Sequence, residues 1–557
     1  MFQNNNKSNP HTSFSIMLSI VLVLCSTVSI SAQEKPTILM ESSTEYLPDY
    51  SYAGYHNGEK VPYLETRKLL LATDFGVVAN DKLDDTKAFQ KLLEEAHNST
   101  EAITIILPAG RIIISDFLYI ERSNLVIKGA GSGIYGTEIY CPRPMKYFED
   151  PAPFKELREY LVELDKRQRE KENNIDLPFS QYAWSGGVFW VKYPGKRVKE
   201  YLEKYDEAPV LLSEIEKGKK GEHTINVSSA NNLNKGDIIQ IEWYNKDGKE
   251  GSIIKALYPA SQLNIGAHHW NYPDHALIRQ RSEILSIAGN KVTIKDPLIL
   301  DINSYWEPAI VEWKHLSEVG LEHFSVSFPI APNIAHHVED GYNAIYLTHL
   351  YNGWVRDVKI RNADSGILTE EIANVTIQDI ETSGDKIAHY TVAMSGVHNV
   401  LVKNLHVKNV ARHPLSFNTY STKSVYLNCK VDQAPILDQH SGVNHQNLFD
   451  NIKVSITLKG ATSYPLFVGG GAGYWKPSHG AYTTFWNINV HFEDGHHNKV
   501  IVLDGMKDGP KARLVGIHAD LPIEIEYGPD AYIEMTNKKL LEIPSLYQYQ
   551  LKKRLDK

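Results

Sequence analysis

Five stretches of this chain align with one another: Trp354-Val355-Arg356-Asp357-Val358, Asn374-Val375-Thr376-Ile377-Gln378-Asp379-Ile380, Asn399-Val400-Leu401-Val402-Lys403-Asn404-Leu405, Ser424-Val425-Tyr426-Leu427-Asn428-Cys429 and Asn447-Leu448-Phe449-Asp450-Asn451-Ile452. Their lead residues, Gly353, Asn374, Asn399, Ser424 and Asn447, stand 21, 25, 25 and 23 apart. Within each stretch apolar side chains alternate, as in a strand that buries one face. A period of this length is one full coil of a wound parallel ribbon, each coil lying about 4.8 Å above the last. Sandwich strands recur about every 8–12 residues, so they do not account for the spacing. Asn at the turn into a strand suits a left-handed or bridging backbone. The expected fold is therefore all-β, a single parallel β-helix with its coils over 301–535.

Toward the N-terminus the pattern changes to Asp74-Phe75-Gly76, then Asp84-Asp85-Thr86 opening a helical stretch. Ala88, Phe89, Leu92, Leu93 and Ala96 share one face of that helix, and Asp84 or Asp85 suits its N-cap. Leu107-Pro108-Ala109-Gly110 ends one strand and Leu125-Val126-Ile127-Lys128-Gly129 forms another. This order resembles the N-terminus of the pectate-lyase-like superfamily of right-handed parallel β-helices. The resemblance implies that the helix caps the open end of the first coil. It implies a scaffold and not a reaction.

The remaining segments follow from composition. The first 32 residues read as a secretory signal peptide: Lys7, an apolar run over 14–28, then Ser29, Ser31 and Ala32. Residues 33–70 are a Tyr-rich lead-in, and 71–141 hold the capped end and first coils. Residues 142–300 interrupt the pattern with a charged helical stretch over 153–171 and a small antiparallel β subdomain or elaborated coil. Residues 536–557 form a tail. Beyond the signal, Cys141 and Cys429 are too few for a disulfide framework or a Cys-rich zinc site. With 58 basic and 67 acidic residues the formal charge is −9, which does not suit a general nucleic-acid binder. No integral membrane span is expected after cleavage, the chain is expected to be exported, and its oligomeric state is left open.

Stacked coils turn sequence period into adjacency. Asp364, His389, His413 and His440 follow one another at 25, 24 and 27 residues, with Lys386, Tyr390, Arg412 and His445 beside them. For any one histidine a ladder hydrogen bond is as good an account; the set is what points to chemistry. Elimination on a uronic acid needs a cation on the C6 carboxylate, a base for the C5 proton and an acid for the oxygen leaving C4. The expected roles are Lys386 and Arg412 on the carboxylate, His389 or His413 as base, and Tyr390 or His440 at the leaving oxygen. His389 and Tyr390 are adjacent, so a regular strand would not turn both outward.

Substrate contacts are expected from a loop carrying His336, His337, Glu339, Asp340 and Tyr342, from His445, and from the aromatic platforms Trp270, Tyr272, Tyr474 and Trp475. No metal site is assigned, and calcium is left open as a cofactor. Elimination of a sugar or of water follows the same steps, so lyase, dehydratase and epimerase stay together. A hydrolase would need two facing carboxylates, for which the wall offers mainly Asp364 and Asp438. A non-catalytic glycan-binding β-helix would need no stacked histidines. The export signal, single β-helix and histidine-rich coils also resemble secreted pectate-lyase-like dehydratases of bacteria that feed on algal walls. That resemblance implies an acidic, ulvan-like oligo- or polysaccharide substrate. The negative net charge requires local cations in the groove, and the insertions at 142–220 and 329–342, placed to wall off one groove end, mildly favour oligosaccharides or chain ends.

Overall fold

A computed structural model of the chain describes residues 35–61, 67–148, 155, 180–195, 209–259, 263–266, 273–332, 335–440, 442–471, 476–494 and 499–557. Lys35–Lys557 form one compact unit. The expected signal peptide and the helical stretch over 153–171 lie outside the described residues, apart from Lys155.

The repeats fold as one ribbon. Trp354, Thr376, Leu401, Val425, Leu448, Thr484, Arg513 and Tyr532 stack in a single parallel ladder, one residue per coil. Parallel crossovers of this kind wind right-handedly. Two residues before this row the backbone turns left-handed in every coil, at Asn352, Asn374, Asn399, Lys423, Gln446, Tyr482, Lys511 and Asp530. Three residues after it the backbone does so again, at Asp357, Asp379, Asn404, Asn428, Asn451, Asn487, Gly516 and Met535. Asn and Asp dominate because their short polar side chains tolerate this conformation. The asparagines also bond to each other: Asn451 Nδ2 donates to Asn428 Oδ1 at 2.8 Å, and Asn487 Nδ2 to Asn451 Oδ1 at 3.1 Å. The left-handed turn falls one residue before Ser424 and Asn447, where Lys423 and Gln446 adopt it without being asparagine.

Inside the coil, Tyr426 stacks on Phe449 and Phe449 on Phe485, with centroids 5.6 and 5.1 Å apart. Such columns bury the apolar face that no isolated coil could cover. A second parallel sheet runs Leu118–Ile120, Phe189–Val191, Asn343–Tyr351, Ser365–Ala373, Ala388–Met394, Leu415–Asn418 and Leu437–His440. Phe189–Val191 is thus a rung of the coil inside the stretch expected to be an insertion. Its three residues, all apolar and buried, are too short for a period to show.

The helix Thr86–His97 buries Phe89, Leu92, Leu93 and Ala96. Asp85 stands at its N-cap, as expected, but its side chain makes no capping bond; the carboxylate accepts instead from the Val78 and Ile113 amides at 2.8 and 3.2 Å. Six antiparallel strands between Leu211 and Glu312 close into a barrel, which runs past the expected boundary at 300. The barrel docks through buried charge. Arg279 and Arg281 both pair with Glu371 of the second sheet, and His398 Nε2 stands 3.0 Å from Asp296 Oδ2.

The two ends of the described chain meet on the outside of the coils. The helix Leu546–Leu555 starts on Asp450, which accepts from the Leu546 and Tyr547 amides at 3.0 and 2.9 Å and from Ser545 Oγ at 2.6 Å. Arg554 donates to the Ser51 and Asn57 carbonyls at 2.9 and 2.6 Å, and Tyr547 to the Ala53 carbonyl at 2.9 Å. Cys141 and Cys429 are buried free thiols. No described helix is long and apolar enough to cross a membrane.

Candidate functional site

A cluster of histidines forms where the second sheet meets the loop over 335–342. On the sheet, Tyr390 sits between Ser365 and His413 in register, while Ala388 pairs with Ala411. His389 is therefore level with Arg412, and His413 with Tyr390. His440 is level with Asn418 on the next rung. The equal-position stack read from the spacing thus holds from Asp364 to His389, slips by one residue at His413, and is lost at His440, which is level with Asn418 and not with His413. The rings meet nevertheless. His389 and Tyr390 stack at 4.2 Å, Tyr390 and His413 at 4.9 Å, and His413 meets His440 edge-on at 4.5 Å. His389 and Tyr390 thus stack although they are adjacent in the strand Ala388–Met394.

The loop adds two more imidazoles. His336 lies 4.5 Å from His389 and 5.6 Å from His413, ring to ring, and stacks on His337 at 3.8 Å. Its Nε2 is 3.0 Å from His389 Nε2. Two groups that the sequence separates by about fifty residues are one site. The loop is held by Asp364, whose Oδ2 accepts from the Gly341 and Tyr342 amides at 3.0 and 2.8 Å, while Lys386 Nζ lies 2.5 Å from its Oδ1.

Behind the rings stand two carboxylates. Asp438 Oδ2 is 3.0 Å from His413 Nδ1 and 3.3 Å from His440 Nδ1, and also accepts from Ser416 Oγ at 2.5 Å. Asp438 Oδ1 accepts the Gly470 amide at 3.0 Å. Gly470 passes so close under His440 that a side-chain carbon there would strike the ring at Nδ1. Glu339 Oε1 lies 3.2 Å from His389 Nδ1, off the ring's hydrogen-bond axis.

Burial sets the charges. It pushes His336 down to about 4 and His337 to about 2, with the neighbouring imidazoles adding to the effect. His389 falls well below its ordinary range, by burial first and then by His413, His336 and His440. His413 is lowered by burial, against the pull of Asp438. Burial would raise Asp438, but His413 and His440 outweigh it and hold the carboxyl below its usual range. Burial keeps the Tyr390 phenol protonated. Burial thus favours the neutral ring at His336, His337 and His389, beside the ionised Asp438 carboxylate, with Arg412 exposed beside His413. Arg412 forms no ion pair among the described residues.

Of the expected residues, His389, His413, His440, Tyr390, Arg412 and His337 come together. Lys386 stands apart from them: it is buried, tied to Asp364, and lies 4.6 Å above the Tyr342 ring. Tyr342 packs into the wall against Phe328 at 5.6 Å and touches none of the clustered rings. His445 belongs elsewhere; it is buried with Nδ1 3.0 Å from the Val443 carbonyl, in bridge pairing with Thr422. Trp270, Tyr272, Tyr474 and Trp475 lie outside the described residues. The neutral imidazoles do not suit calcium, which takes oxygen ligands. His336, Glu339 and Asp438 complete the centre. The signal for Asp438 was its spacing of two from His440, which places both on one face of a strand.

No protein-family model matches the chain, and no curated protein matches it. Among solved structures it is similar to the tailspike protein of Pseudomonas phage LKA1, with a TM-score of 0.41 and 12% identity over 85% of this chain and 81% of that one. It is similar to the A-module of a mannuronan C-5 epimerase of Azotobacter vinelandii, with a TM-score of 0.38 and 10% identity over 85% of this chain and 100% of that one. An exopolygalacturonase of Thermotoga maritima gives 0.35 and 9% over 86% and 93%. Likeness this distant says nothing of activity.

Proposed function

We propose that the chain is an exported carbon–oxygen lyase acting on a uronic-acid glycan. The observation that carries this reading is the shared carboxylate, Asp438, lying within 3.3 Å of Nδ1 of both His413 and His440. A carboxylate behind Nδ1 keeps the proton there and leaves Nε2 as the base. His389 and His413 are buried, whereas His440 reaches the surface in part, so His440 is the base that a sugar meets.

In the proposed step Arg412 pairs with the C6 carboxylate and makes the C5 proton more acidic. His440 Nε2 takes that proton. The C5–H electron pair becomes the C4=C5 bond, and the C4–O bond breaks toward its oxygen. His440, now carrying the C5 proton, passes it to the leaving oxygen, because Tyr390 is buried like His389 and His413. A departing sugar makes the protein a polysaccharide lyase; departing water makes it an oligosaccharide dehydratase. Hydrolysis by a carboxylate pair fits less well, because Glu339 and Asp438 both face imidazoles.

The test is incubation of the purified chain with uronic-acid polymers, ulvan among them, and with their oligomers. The readouts are ultraviolet absorbance of the conjugated product and chain length. Absorbance rising as chains shorten is the lyase result; absorbance rising at constant length is the dehydratase result. New reducing ends without absorbance would replace this reading with hydrolysis.

A further inference from the structure

The geometry points to a binding site for a divalent first-row transition cation such as Zn2+, held by ring nitrogens of His336, His389 and His413. The inference does not depend on the reaction proposed above.

Three observations converge on it. Each of the three histidines offers a ring nitrogen within 4.8 Å of the other two. His413 Nδ1 lies 3.0 Å from Asp438, so its Nε2 is the nitrogen left over, and that atom is buried without any hydrogen-bond partner. A buried, unpartnered nitrogen is costly unless something else engages it. The third observation is the arrangement behind the rings. His413 turns Nδ1 toward the buried Asp438 carboxylate at 3.0 Å, and Glu339 Oε1 stands 3.2 Å from His389 Nδ1, close enough to take up that role once the ring turns onto an ion. Carboxylates placed behind imidazoles in this way orient histidine ligands and raise their basicity.

The distances fit such an ion. Zinc–nitrogen bonds of about 2.0–2.1 Å in a tetrahedron place ligand nitrogens roughly 3.3 Å apart. His336 Nε2 and His389 Nε2 are already 3.0 Å apart, and loading draws His413 in. Neutral imidazoles suit zinc, cobalt or nickel and not the hard cations that prefer oxygen. Two carboxylates nearby offset the doubly positive charge. Three protein ligands leave a fourth position open, the pattern of a site that takes water or an oxygen of a bound molecule.

The test strips the full-length chain with chelator and titrates it with Co2+, following the visible bands of tetrahedral cobalt and, by calorimetry, Zn2+ stoichiometry. The expected result is one equivalent of either ion. His336→Ala removes a half-exposed ring and is expected to abolish the bands while melting temperature holds. Glu339→Gln is expected to weaken binding about 10- to 100-fold. Absence of tetrahedral cobalt bands, or bands unchanged in both His336→Ala and His413→Gln, would overturn the site. Neither readout uses turnover, so a failed elimination assay would leave this result standing.

Discussion

His389, His413 and His440 are 24 and 27 residues apart; His398, Thr422 and His445 are 24 and 23 apart. Both series are stacked by the same coils. The second series pairs by isolated bridges from His398 to Thr422 to His445. There the barrel lies overhead and supplies Asp296 to His398 Nε2 at 3.0 Å, while Thr422 Oγ1 lies 2.8 Å from Nδ1. His398 is wholly buried. Among the described residues the first series pairs with no barrel strand. It is covered by the loop carrying His336 and His337, and it keeps His440 and Arg412 at the surface. Coil period brings rings together in both places. What lies over them decides whether they hold the fold or face a ligand.

Substitution in each stack sharpens the contrast. His440→Ala is expected to lower turnover by about 10²–10⁴, the usual worth of a positioned base, with little change in melting temperature. His398→Ala should do the reverse. It leaves Asp296 buried without its imidazole, at a cost of about 3 kcal/mol in stability, and turnover per folded molecule is retained. Chemical denaturation alongside initial rates separates the two; an exchange of outcomes would erase the distinction between the stacks.

A smaller loss is expected from Gly470→Ala. The added carbon pushes His440 off Asp438, and misplacement of a catalytic ring by about 1 Å costs on the order of 10²-fold in rate. Arg412→Gln should raise KM on the order of 10-fold for a charged substrate, since one charge-assisted bond is lost, while kcat changes less. The smallest effect is on pH. Burial pushes His445 from 6.5 to about 4, with the Val443 carbonyl opposing and Lys220, Lys423 and His398 adding to it. The unfolded chain takes up this proton below 6.5 and the folded chain does not until about 4. Stability from this group is therefore complete above 6.5 and declines as pH falls toward 4. Denaturation midpoints across that window should shift less in His445→Gln.

The coil repeats were legible because each buries an alternating apolar face, and that requirement writes itself into the spacing. The capping helix was legible for the same reason, through Phe89, Leu92, Leu93 and Ala96. Register was not. Lys423 and Gln446 take the left-handed turn by stacking on neighbouring coils, against their own preference, so the asparagine signal slips there. The site was half legible. Period placed His389, His413 and His440 on one wall, but the loop that brings His336 and Glu339 has no period. Nor could spacing show that Lys386 is occupied by Asp364, since the two are 22 residues apart and meet only across neighbouring coils.

The clasp between the chain's two ends has a consequence for how the protein is made. Tyr547 reaches back 494 residues to Ala53, and Arg554 reaches back 503 to Ser51. Tyr50 and Ala53 belong to an apolar seam with Leu546 and Tyr547 that coats the outside of the coils. Contacts this far apart carry a large closure entropy and form late. A chain emerging from the ribosome can wind its coils in order and dock Tyr55 and Gly54 on Thr376 and Asn399, yet Ser51 and Ala53 gain their last partners only when the closing helix has been synthesised. The helix Leu546–Leu555 is therefore the last part of the outer seam to set.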